Sequence, residues 1–156
     1  MAYGRAGWLG FFGLSMVFLA SPALAGGQQN FAARCSMCHQ TTGAGLPGQF
    51  PRLSGRVAQI AASPDGRAYL TKVLLNGMFG SITVDGQPIN GLMPGMGAMN
   101  DQDIADILNY VVSLKKVGKP ASFTAAEIAR VRASGKMSAS EVATERTRLA
   151  TKGTIP

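Results

Sequence analysis

The apolar positions of this 156-residue chain change spacing several times, and each change marks an element. Between Trp8 and Ala20 they run almost without interruption. Phe31, Ala32 and Cys35 then recur at helical spacing and predict a first helix over residues 28–38. Residues 41–55 hold four glycines and two prolines and read as an irregular loop. Tyr69, Leu70, Val73 and Leu74 repeat at three and four. With Ser63-Pro64 as N-cap and first turn, and Gly77 as a stop, they predict a helix over residues 64–76. Ile82-Thr83-Val84 and Gln87-Pro88-Ile89 flank Asp85-Gly86, the signature of a tight hairpin turn, and Pro88 restricts the pair to a small edge ribbon. Asn100 caps a strong helix over residues 101–114. Asp101 and Asp103 sit at its positive end, and Ile104, Ile107, Leu108, Val111 and Leu114 form its apolar stripe.

Beyond Gly118 the pattern thins, and Lys119-Pro120 reads as a linker. Thr124-Ala125-Ala126-Glu127 and Ser138-Ala139-Ser140-Glu141 are capping boxes that open helices reaching residues 133 and 151. Ile128 and Val131 mark the apolar face of one, Val142 and Leu149 that of the other. Faces this thin predict a tail that docks weakly or waits for a partner, so a chain ending at Gly118 is expected to fold alone.

The first apolar run is of another kind. Arg5 precedes it as a short basic region, and Ala23-Leu24-Ala25 ends it in the small-x-small pattern a signal peptidase accepts. The run falls short of the roughly twenty residues needed to span a bilayer. Residues 1–25 therefore read as a cleaved signal peptide, residues 26–117 as one domain and residues 118–156 as a basic helical extension.

The candidate chemistry lies in Cys35-Ser36-Met37-Cys38-His39, which contains every Cys and His of the chain. Two thiols two residues apart, followed at once by an imidazole, form an attachment site for a c-type haem. On one helical turn Cys35 and Cys38 can each add to a porphyrin vinyl group, and His39 then falls under the iron as its proximal ligand. The alternatives are a redox dithiol or half a zinc site. Zinc requires four ligands where only three exist, and a thioredoxin-type dithiol requires a preceding strand. Covalent haem attachment takes place outside the bacterial cytoplasmic membrane, which agrees with a signal peptide and a periplasmic location. With both thiols on the haem, no disulfide is available.

Cys35 to His39, the run Gly43-Ala44-Gly45-Leu46-Pro47-Gly48-Gln49-Phe50-Pro51-Arg52-Leu53-Ser54-Gly55, the loop Asn90-Gly91-Leu92-Met93-Pro94 and the closing helix together resemble a bacterial monohaem class I cytochrome c. The likeness covers about residues 28 to 115, with four elements in the expected order. It implies an all-α fold with a small β-hairpin, in which the first and last helices cross beside the haem and Phe31 packs near Tyr110.

The same resemblance bears on the sixth iron ligand. Met78, Met93, Met96 and Met99 lie between the hairpin region and the last helix, and each has an ordinary role as apolar filler. The family places its ligand in a Met-Pro pair before the closing helix, which implies Met93; Met96, Met99 or an open position are the alternatives. A soft thioether opposite imidazole favours ferrous iron and raises the potential. The resemblance also implies that the carbonyl of Pro51 accepts the other ring N–H of His39, and that Leu53 packs on the porphyrin. Arg52 and Arg56 could neutralise a haem propionate, although solvated arginines are the reading preferred.

Charge adds one asymmetry. Between Gly26 and Ser113 five basic residues face five acidic ones, whereas from Leu114 onward nine face three. Such a tail steers toward acidic proteins or anionic headgroups; nucleic acid is not an expected partner outside the cytoplasm. The sequence thus predicts a one-electron carrier rather than an enzyme. It would take electrons from a periplasmic dehydrogenase and pass them to an oxidase or another cytochrome of the respiratory chain. The alternative is a haem enzyme or ligand sensor with an open sixth position, against which stands the lack of any distal His.

Overall fold

The structure, a computed structural model, describes Met1 and residues 22–156. Most of the signal-peptide reading, residues 2–21, lies outside the described residues. Pro22–Arg34 forms α1, so the segment Ala23-Leu24-Ala25 begins a helix that starts earlier than the apolar spacing predicts. Ser36–His39 is a single helical turn, α2, set off from α1 at Cys35. A long loop leads to the short α3 (Arg56–Ile60), which five residues cannot announce by periodicity.

α4 spans Pro64–Asn76, capped by the Ser63 side chain accepting from the Gly66 N–H. Gly77 stops it with φ 77°, and the stop serves packing as well as turning. A Cβ there would fall on the Met93 carbonyl and within 2.7 Å of the Gly95 nitrogen, so the end of α4 can rest directly on the Met-Pro segment only because the residue is glycine.

The ribbon is longer than expected. β1 (Met78–Val84) and β2 (Gln87–Met93) pair antiparallel across their full length, from Val84 with Gln87 to Met78 with Met93. Pro88 is tolerated because it lies on an exposed edge position opposite Thr83. α5 (Asp101–Ser113) follows, its N-cap Asn100 accepting from the Asp103 N–H at 2.8 Å. The extension supplies α6 (Ala125–Ala133) and α7 (Ala139–Thr151), with the Thr124 and Ser138 caps in place.

α1 crosses α5, where Phe31, 1% exposed, meets Tyr110 with ring centroids 5.3 Å apart and planes tilted by 52°. The architecture is helices with one small hairpin, as the resemblance implies. The loosely docked tail is a corrected expectation. α6 packs on α4 and α5, and α7 on α4 and β1. Phe123, Ile128, Val142, Leu149 and Ile155 are buried in the same cluster as Phe31, Leu70, Leu74 and Ile104. The apolar faces are thin, but Ile128, Val142 and Leu149 are fully buried and Val131 packs partly buried beside them.

Polar ties complete the docking. Asn109 of α5 exchanges two hydrogen bonds with the backbone of Phe123, at 2.7 and 3.0 Å. Arg67 reaches both carboxylate oxygens of Glu127 at 2.6 and 2.8 Å and lies over the Phe123 ring, 3.9 Å from its centre. Lys72 pairs with Glu145 at 3.0 Å and Arg132 with Asp101 at 2.8 Å.

Candidate functional site

Two backbone hydrogen bonds shape the turn that carries the motif: Cys35 N–H donates to the Phe31 carbonyl, and His39 N–H to the Cys35 carbonyl, both at 2.9 Å. The turn continues α1 closely enough that Cys35 joins the core while Met37, between the thiols, is fully exposed. Cys35, Cys38 and His39 all face a cavity of about 370 Å³. Its wall continues through Gly48, Gln49, Phe50 and Pro51 of the loop, then through the inward face of the ribbon at Met78, Gly80, Ile82 and Ile89, and ends at Met93, Pro94 and Met96.

His39 is 7% exposed, and its Nδ1 lies 3.0 Å from the Pro51 carbonyl. A carbonyl can only accept, so Nδ1 carries the proton and Nε2 keeps its lone pair. Burial holds the imidazole below its ordinary pKa, against a smaller opposing effect of the Pro51 hydrogen bond. The ring is therefore neutral at neutral pH, the form that binds a metal. Burial also pushes the Cys35 thiol up to about 11, partly offset by Arg34. A redox dithiol depends on a depressed thiol pKa, so this environment disfavours that alternative.

Among the methionines the structure separates what the sequence leaves open. Met78, Met93 and Met96 line the cavity, and Met99 does not. Met78 already accepts a hydrogen bond from the Tyr69 hydroxyl at 3.4 Å, leaving Met93 and Met96 as the freer thioethers. Leu53, expected against the porphyrin, packs on the hydrophobic core outside the cavity lining. Arg52 makes a two-point contact with Asp85 at 2.7 and 2.8 Å. Arg56 is buried and reaches the Pro156 carbonyl, so its solvated reading is corrected. The ribbon wall is what sequence reasoning missed. The alternation Met78, Gly80, Ile82 was its signal, masked by the glycine and by Pro88.

The donor set fits a covalently held haem. One apolar cavity presents two thiols, a neutral imidazole with a fixed tautomer and thioether sulfurs, and among the described residues no cluster of three or more His, Cys, Asp and Glu forms another metal site. The cytochrome c family model matches residues 24–115. The chain belongs to the cytochrome c family. It is a monohaem class I cytochrome c, and its cofactor is covalent haem c. This cytochrome is similar to cytochrome c-552 of Thermus thermophilus, 41% identical over 144 residues that cover 88% of this chain and 97% of that protein. It also resembles the cytochrome c subunit of gluconate 2-dehydrogenase from Pantoea cypripedii, 30% identical over 68% of this chain and 24% of the relative. The corresponding subunit of the quinone alcohol dehydrogenase of Gluconacetobacter polyoxogenes is 26% identical over 78% of this chain and 25% of the relative. The chain is thus an electron-carrying cytochrome, free or as a dehydrogenase's cytochrome subunit. No helix of the described residues is long and apolar enough to cross a membrane.

Proposed function

We propose that this cytochrome is a periplasmic one-electron carrier that takes electrons from a dehydrogenase and delivers them to an oxidase or another cytochrome, without catalysis of its own. Haem c, when bound, supplies an iron that gains and loses one electron. Cys35 and Cys38 hold it by thioethers, His39 is its proximal ligand and Met93 its sixth. The observation that carries the reading is that one cavity wall brings these four side chains together, with the His39 ring locked by Pro51. A rigid ligand set suits electron transfer, because little has to move when the charge changes.

Partner docking has its own support. Phe50 and Leu92 line the cavity yet are 36% and 67% exposed, and Phe79, paired with Leu92 across the ribbon, is 53% exposed. They form an apolar rim beside the haem site of the kind that excludes water on contact. Lys115, Lys116, Lys119, Arg130, Lys136 and Lys152 form no ion pair among the described residues, and they favour an acidic partner.

Met93→Ala tests the ligand set. The oxidised wild type is expected to show the long-wavelength sulfur-to-iron charge-transfer band, and the variant to lose it and to fall in potential. Should the band survive Met93→Ala and vanish on Met96→Ala, the assignment moves to Met96.

A further inference from the structure

The segment that follows Met93 contains no helix or strand until α5 and includes Pro94, Gly95 and Gly97, so it has little intrinsic rigidity. One side of it lies on the end of α4. Met96 N–H donates to the Leu74 carbonyl at 2.7 Å, and a Cβ on Gly95 or Gly97 would come within 2.8 Å of Asn76 or Leu75 backbone atoms. The other side is gripped by a single guanidinium from the extension. Arg132 donates through Nη1 to the Gly97 carbonyl at 2.6 Å, through Nη2 to the Met99 carbonyl at 2.9 Å and through Nε to Asp101 at 2.8 Å. α6, which carries Arg132, is itself fixed by fully buried Ile128 and by the Glu127 pair with Arg67.

We propose that Arg132 is a positioning residue: it clamps the loop between α6 and α4 and thereby holds the Met93 sulfur on the iron. The inference rests on Met93 being the sixth ligand. A thioether is neutral and weakly bound, so how often the sulfur leaves depends on how often its loop opens. A planar fork with donors in three directions can tie two carbonyls and a carboxylate at once, which a lysine cannot. Because the Arg132–Asp101 pair is partly exposed, at 36% and 28%, its weight in global stability is small and its effect is local.

The test uses the full-length holoprotein. Imidazole is the probe, and the readouts are its rate of displacing the methionine, followed by loss of the charge-transfer band, and hydrogen exchange of amides 95–100. Arg132→Ala is expected to displace roughly tenfold faster and to exchange faster in the loop, with thermal midpoint shifted by only a few degrees. Arg132→Lys, which keeps stem and charge, falls between, at roughly threefold, and carries the test if the alanine variant fails to fold. Glu145→Gln weakens a tail ion pair on α7 without touching α6 or the loop and is expected to stay near wild type. The proposal is overturned if Arg132 variants displace at the wild-type rate, or if Glu145→Gln accelerates displacement as much. Met93→Ala measured alongside separates the two readings. A band that survives it removes the ligand assignment and the clamp with it, whereas a band lost in Met93→Ala with unchanged Arg132 rates leaves the ligand and removes only the clamp.

Discussion

The two ends of the described chain both rest on α5 but are held by different means. α1 lies on α5 along a mainly apolar seam, crossed by one hydrogen bond from Asn30 to the Asp103 carboxylate at 3.2 Å, with Phe31 buried against Tyr110 and Gly27 so close that a Cβ would strike the Asp106 carbonyl. The extension touches α4, α5 and β1 through scattered apolar points, and the ground between them is filled by guanidinium and carboxylate groups. Arg67 with Glu127, Lys72 with Glu145 and Arg132 with Asp101 all cross this seam. Buried Arg146 adds hydrogen bonds to the Thr83 and Pro156 carbonyls at 3.2 and 3.3 Å. An apolar seam tolerates salt and pH, while a charged one depends on both. Part of the tail's positive charge is consequently occupied in docking and is not free to steer a partner.

Removing the extension is the harshest way to break this comparison. A chain ending at Gly118 loses Phe123, Ile128, Val142, Leu149 and Ile155 from the core. Emptying the ground those side chains fill bares the core faces of α4 and α5, a change at least as costly as one large-to-small core substitution, roughly 2–5 kcal/mol. The expected net loss is on the order of 5 kcal/mol, or roughly 20 °C in Tm. A truncated holoprotein that melts within a few degrees of the full chain would show the tail to be an accessory, as its thin apolar faces first suggest.

Phe31→Ala probes the other seam at one point. It removes a fully buried ring and its edge contact with Tyr110, for an expected loss of about 3–5 kcal/mol. The loss should be the same at low and high salt, in contrast to any change made across the tail. Urea unfolding at two ionic strengths reads the difference, and a salt-dependent Phe31→Ala effect would contradict the apolar account.

What the sequence made legible follows the range of the signal. The bounds of α4 and the starts of α5, α6 and α7 come from caps within four residues, Ser63, Asn100, Thr124 and Ser138, and a local signal needs no knowledge of the rest of the chain. The motif Cys35 to His39 is equally local. By contrast, α3 is too short to show a period, the ribbon was curtailed by a proline that proves to lie on its exposed edge, and α1 begins in residues read as a leader. Hardest to foresee was the partner of each tail charge. Arg67 and Glu127 stand sixty residues apart, and each alone reads as surface. In the site, Pro51 beside His39 was reachable only through family resemblance, while narrowing the methionines to Met93 and Met96 needed the cavity lining and the Tyr69 contact of Met78.

The smallest expected effect concerns acid. Glu145 is half-buried, and its hydrogen bond from Lys72, helped by Arg148, holds its carboxyl below the ordinary glutamate value of 4.5. A depressed folded-state pKa means that the stabilisation is fully present above the unfolded value and is lost as the pH falls from about 4.5 through the folded one. α7 should therefore loosen in that window before α1 does. Hydrogen exchange of α7 amides, measured between pH 6 and about pH 3.5 and corrected for the intrinsic rate, is expected to show protection declining for α7 and holding for α1. Glu145→Gln keeps the shape of the side chain and removes its share of the titration, so its α7 protection should be lower at pH 6 and decline less steeply across the window. The remaining decline belongs to Glu141 of the Ser138 capping box, whose carboxyl is likewise held below the ordinary value. Parallel losses in both helices, or an unchanged pH profile in Glu145→Gln, would mean that the charged seam has no acid sensitivity of its own at this site.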